Sequence, residues 1–104
     1  LFSLTTLGGH GGICTSSHLL PGEWVRMVEL CRANKLDEAR ALHYRLLPLA
    51  KALFVEPNPV PLKYALNLLG IAVGPPRLPL VPASEKCRAA VRAALQGLGL
   101  LQQV

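Results

Sequence analysis

Glu56 and Lys63 stand on either side of a proline-rich bend, Phe54-Val55-Glu56-Pro57-Asn58-Pro59-Val60-Pro61-Leu62-Lys63-Tyr64. A carboxylate and an amine brought together there would suit acid–base chemistry, or a Schiff base on the lysine. A Schiff-base lysine needs a desolvated pocket to lower its pKa. Lys63 instead falls in the first turn of a short amphipathic stretch, where a solvated or salt-bridging lysine is the ordinary outcome. Ser16 and Ser17 lie beside His18, but no Gly-x-Ser-x-Gly elbow surrounds them and no acid is placed to orient the imidazole. They read as loop-capping hydroxyls. His43, beside Tyr44, reads as a surface or packing residue.

Gly8-Gly9-His10-Gly11-Gly12 puts four glycines in five residues. This is a turn where the backbone takes a positive φ or approaches another group closely. No Gly-Lys-Ser/Thr follows, and the spacing is not that of a dinucleotide fingerprint. No cofactor is therefore expected. Cys14, Cys31 and Cys87 are odd in number and widely spaced. They form no zinc pattern with the three histidines and read as reduced packing thiols of an intracellular protein.

The elements that would position these residues follow from proline, glycine and apolar spacing. Ile13-Cys14-Thr15-Ser16 is short and β-prone and is expected to be a strand. A first helix is expected from about Pro21 to Ala33, with Trp24, Met27, Val28, Leu30 and Cys31 on its apolar stripe. A second is expected from Asp37, as N-cap, to about Phe54, kinked at Pro48 where the carbonyl of Tyr44 loses its donor. Pro57, Pro59 and Pro61 make a stiff, extended corner. A third helix follows from about Pro61 to Leu69, closed by Gly70. A second proline-rich connection, Gly74 to Pro82, leads to a fourth helix from Ser84, as N-cap, to about Gln96.

Composition sets the limits. The 104 residues make one small domain, 51% hydrophobic and 16% charged, with a formal charge of +5. Its eleven Lys and Arg are scattered from Arg26 to Arg92 rather than clustered, which argues against a nucleic-acid surface. No apolar run reaches the ~20 residues that span a bilayer, and no signal peptide is evident. The chain lacks an initial Met, so a missing or processed start is expected. Much aliphatic surface on so small a chain implies a covering partner or a missing part of the same fold. A lone strand with unpaired edges should leave the isolated chain marginal or prone to aggregate.

Leu7-Gly8-Gly9-His10-Gly11-Gly12-Ile13, Glu38-Ala39-Arg40, Leu46-Leu47-Pro48-Leu49, the proline corner with Lys63-Tyr64-Ala65, Leu69-Gly70 and Arg77-Leu78-Pro79-Leu80 occur in an order that resembles the C-terminal third of the dihydrodipicolinate synthase family. The resemblance implies a mostly α fold: the last βα unit of a (β/α)8 TIM barrel, residues 1–34, followed by a C-terminal helical domain, residues 35–104. Gly11 to Thr15 would be the last barrel strand. The family condenses pyruvate with aspartate semialdehyde through a lysine Schiff base, in lysine and diaminopimelate synthesis. Its Schiff-base lysine, proton-relay tyrosine and carboxylate-binding threonines lie on earlier strands, and none is among these residues. One site residue carries over: Ile13, from the Gly-x-Ile strand that lines the pyruvate pocket. The parent enzyme would be a cytoplasmic homo-oligomer, tetramer or dimer. Its partners would be pyruvate and the rest of the barrel, with no nucleic acid and no membrane. The alternatives are a stand-alone helical interaction module, or a piece of a related pyruvate aldolase such as N-acetylneuraminate lyase.

With the Schiff-base lysine elsewhere, borohydride reduction in the presence of pyruvate should attach no label to this chain. Mass-spectrometric detection of pyruvyl adduct at Lys63 would reverse that reading.

Overall fold

The structure is a computed structural model that describes residues 1–102. It contains five α-helices among the described residues: α1 (Phe2–Thr6), α2 (Pro21–Arg32), α3 (Leu36–Ala52), α4 (Val60–Leu68) and α5 (Glu85–Gly97). A 3-10 helix, Thr15–His18, precedes α2. The chain divides into two compact units, Leu1–Leu47 and Pro48–Val104.

In the first unit, α1 ends at Gly8, whose φ is +101°. The amide of Gly9 then donates to the Leu4 carbonyl at 2.8 Å. A Cβ on Gly9 would stand 2.8 Å from that same oxygen, so the second glycine is required for close approach and the first for its backbone angle. Both halves of the glycine-cluster expectation are met at neighbouring positions.

The expected strand at Ile13–Ser16 is not formed. Residues 9–14 have no regular hydrogen-bonded structure, and Thr15 and Ser16 belong to the 3-10 helix. The physical reason is the one that makes strands cooperative: a ladder needs a second strand, and none is present among the described residues. A hydroxyl-rich segment with no ladder turns on itself instead. Ser17 donates to the Cys14 carbonyl from both its amide, at 3.1 Å, and its hydroxyl, at 2.6 Å. The aggregation expectation thus loses its unpaired strand edge, but Leu4, Leu7, Ile13 and Val25 remain as exposed apolar side chains.

Helix α2 starts with Pro21 in its first turn and buries Trp24, Met27, Leu30 and Cys31. The Trp24 indole donates to the Leu19 carbonyl at 3.0 Å, so burying the ring leaves no unpaired N–H. The helix stops at Asn34 in the left-handed conformation, φ 61°. The Lys35 amide returns to the Leu30 carbonyl and the Asn34 amide to that of Cys31, a Schellman closure built on asparagine. Helix α3 then starts at Leu36. Asp37 is therefore in its first turn and not its cap, and it pairs with Arg40 at 2.8 Å. Arg45 reaches Glu23 at 3.3 Å, and His43 stacks on Phe2 with ring centroids 5.4 Å apart.

Pro48 lies inside α3, which remains helical from Leu36 to Ala52. In the second unit the proline corner is a series of bends, not an extended segment. The Pro57 carbonyl accepts the Val60 amide at 3.0 Å and that of Pro59 accepts the Lys63 amide at 2.9 Å. Prolines lack donors but keep acceptors, and these carbonyls start α4. Pro61 is fully buried in its first turn. Asn67 holds the second proline-rich connection by donating to the Gly74 carbonyl at 2.9 Å and accepting the Val73 amide at 3.0 Å. Ser84 caps α5 by accepting the Cys87 amide at 3.3 Å. Leu49, Leu53, Pro61, Ala65, Cys87, Val91 and Leu95 are fully or almost fully buried in this unit.

Leu95 is inaccessible and Leu78 is 85% exposed. Leu95→Ala should lower unfolding stability by about 2–4 kcal/mol, and Leu78→Ala by less than about 0.5 kcal/mol, in urea titrations followed by circular dichroism.

Candidate functional site

The residues with chemical potential do not converge. Glu56 and Lys63 bind different groups. The Glu56 carboxylate accepts the Ser84 amide at 3.1 Å, whereas Lys63 Nζ donates to the Pro75 carbonyl at 3.2 Å. His18 Nδ1 lies 3.0 Å from the carbonyl of Thr15, within its own turn, and Ser17 is committed to Cys14. Neither serine is paired with an imidazole. His10 is exposed, and its carbonyl accepts from Arg32. No group of three or more His, Cys, Asp or Glu side chains capable of holding a metal forms among the described residues. No helix among them is long and apolar enough to cross a membrane.

The Glu56 contact perturbs two titrating groups in the second unit. Hydrogen bonds from the Ser84 hydroxyl and then its amide hold the Glu56 carboxyl below its ordinary value. Burial, reinforced by the Glu56 charge, pushes the Cys87 thiol up to about 11. A buried thiol of that kind is a packing group and not a nucleophile. Ser84 thus links three functions: it caps α5, it anchors Glu56, and it fixes the bend at residues 54–59 to the start of the last helix.

The segment His10–Cys14 is different in kind. Its ends are fixed: Arg32 binds the His10 carbonyl, and Ser17 binds that of Cys14 twice. Between them, the backbone groups of Gly11, Gly12 and Ile13 have no hydrogen-bond partner among the described residues. A cavity of about 410 Å³ lies against this segment, lined by Gly11, Gly12, Cys14, Ser17, Trp24 and Arg32 among others. Ile13, the one site residue expected from the sequence, does not line it and is fully exposed. The segment thus combines an exposed β-branched side chain with three peptide units that lack partners among the described residues. The anchors Arg32 and Ser17 were not legible in the sequence as parts of this segment. Arg32 is 22 residues away, and a serine three residues after a cysteine carries no signal.

Because Glu56 is held below its ordinary value of 4.5, it contributes stability above that pH and loses it as pH falls through the folded-state value. Glu56→Gln should therefore lower the urea midpoint at pH 6–7. The gap to the unsubstituted protein should close as pH drops below about 4.5. A gap of the same size at pH 3 would contradict the assignment.

Three comparisons with known proteins bear on this segment and on the chain as a whole. The model of the dihydrodipicolinate synthetase family matches residues 1–98. The 4-hydroxy-tetrahydrodipicolinate synthase of Methanococcus maripaludis strain C7 is 41% identical over 99 residues, which is 95% of this chain and 34% of that protein. A crystal structure of dihydrodipicolinate synthase from Thermotoga maritima superposes with a TM-score of 0.92 at 45% identity, covering 96% of this chain and 34% of that one. The enzyme of Acinetobacter baumannii, solved in complex with pyruvate, superposes at 0.90 with 31% identity, over 96% of this chain and 34% of its own. The chain thus spans about a third of the length of the curated relatives it matches.

Proposed function

This chain belongs to the dihydrodipicolinate synthetase family, and on that premise we propose that it serves as the C-terminal third of a pyruvate-condensing aldolase. The observation that carries the proposal is the superposition on the Thermotoga maritima synthase, TM-score 0.92, over 96% of this chain but only 34% of that one. In this reading residues 1–34 complete a (β/α)8 barrel and residues 35–104 form the helical domain appended to it. The parent reaction joins pyruvate to aspartate semialdehyde through a Schiff base on a lysine of an earlier strand. The parent enzyme would act in the cytoplasm as a homo-oligomer, tetramer or dimer, and this piece alone would be inactive.

The part this chain plays is to close the barrel, not to supply the nucleophile. The unpaired peptide groups of Gly11–Ile13 would be satisfied by neighbouring strands. Ile13 would then line the pyruvate pocket. Barrel active sites lie at the C-terminal ends of the strands, and an aliphatic wall there excludes water while making no bond of its own. Lys63, bonded to the Pro75 carbonyl, has no part in the reaction.

Co-expression with the remaining two thirds of the Thermotoga maritima protein tests this directly. The two pieces should co-purify and condense pyruvate with aspartate semialdehyde, and Ile13→Asp should raise the KM for pyruvate while leaving assembly intact. A co-purified complex without condensing activity, or an unchanged KM in the Ile13→Asp variant, would overturn the reading.

A further inference from the structure

The second unit carries six lysines and arginines between Lys51 and Arg92 but only two carboxylates, Glu56 and Glu85. Glu56 is occupied by Ser84, and none of these cations forms a salt bridge among the described residues. Two of them, Arg88 and Arg92, gather around one side chain, Tyr64. The Arg88 guanidinium lies 5.7 Å from the centre of its ring and that of Arg92 6.0 Å, and Lys63 is its neighbour in α4.

Each cation is held by a neutral oxygen. Arg88 Nε donates to the Ala83 carbonyl at 2.9 Å, Arg92 Nε to the Tyr64 hydroxyl at 2.7 Å, and Lys63 Nζ to the Pro75 carbonyl at 3.2 Å. Tethering an arginine through Nε fixes its plane and leaves its two terminal nitrogens as a fork, the geometry that binds an oxyanion through two parallel hydrogen bonds. Those terminal nitrogens have no partner among the described residues. A lysine bonded to one carbonyl keeps two further donors. Arg88, Lys63 and Tyr64 line a cavity of about 200 Å³ together with Asn67, Gly74, Pro75 and Pro76. Pro75 and Pro76 have no N–H to offer, and Arg88 and Lys63 are the charged side chains of the lining.

We propose that this cavity binds a small tetrahedral oxyanion, phosphate either free or as a monoester, on the Arg88 fork and Lys63 Nζ, with Arg92 setting the orientation of Tyr64. Like charges held together around one ring repel, and a doubly negative ligand relieves that repulsion while satisfying the free donors. The proposal does not depend on the barrel reading.

Inorganic phosphate is titrated into the 104-residue chain at constant ionic strength, with amide chemical shifts as the readout. A parallel titration with glycerol phosphate distinguishes free phosphate from a monoester. The expected result is saturable shifts in α4, residues 73–76 and the start of α5. Arg88→Gln and Lys63→Gln should each weaken binding by about tenfold. Lys51→Gln, which lines no part of the cavity, should leave it unchanged. Lys63→Gln keeps the test decisive if Arg88→Gln, which also frees the Ala83 carbonyl, fails to fold. Shifts that do not saturate, or that respond equally to Lys51→Gln, overturn the proposal.

Discussion

A peptide group in extended conformation cannot satisfy itself; its N–H and C=O must be met by another strand. That constraint bears on Gly11–Ile13, whose backbone groups have no hydrogen-bond partner among the described residues. The helices close their own bonds and can fold where they stand. The three irregular residues between the anchors at His10 and Cys14 do not. The same constraint explains why the flanking hydroxyl residues coil into a 3-10 turn, and why a large β-branched side chain is left wholly in solvent.

The second unit solves the opposite problem, too many prolines for a continuous ladder of any kind. Its bends at residues 54–59 and its crossing at residues 71–83 are each held by side chains from the helices. Asn67 grips one from both sides, and Ser84 ties the other to α5 through Glu56. Helices α1, α2, α4 and α5 close on a left-handed residue or glycine: Gly8, Asn34, Gly70 and Gly99. At each, the following amide reaches back to a carbonyl five residues earlier, so orphan carbonyls are met without help from solvent.

Much of this was legible in the sequence, for local reasons. Glycine at Gly70, serine at Ser84 and proline at Pro21 mark ends through chemistry confined to a few residues, and the observed helices start and stop close to where those marks fall. Asp37 misled because a good capping residue and a good first-turn residue are chemically the same. The strand at Ile13 misled for a deeper reason. Its propensity is real, but a strand is a property of a pair, and no partner strand forms among the described residues. The cluster at Tyr64 was illegible because Arg88 and Arg92 lie 24 and 28 positions away, and a scattered charge pattern gives no hint that a fold will collect it. Ile13 could be nominated only through the resemblance, since an exposed isoleucine has no local signature of a pocket.

Trp24 is the chain's single tryptophan. Its indole is almost buried, is bonded to the Leu19 carbonyl, and faces the same cavity as Gly11 and Gly12. An intrinsic fluorophore therefore sits beside the segment whose hydrogen bonding would change on the proposed pairing with neighbouring strands. Its emission reports that event without an added label, and no second tryptophan contributes background.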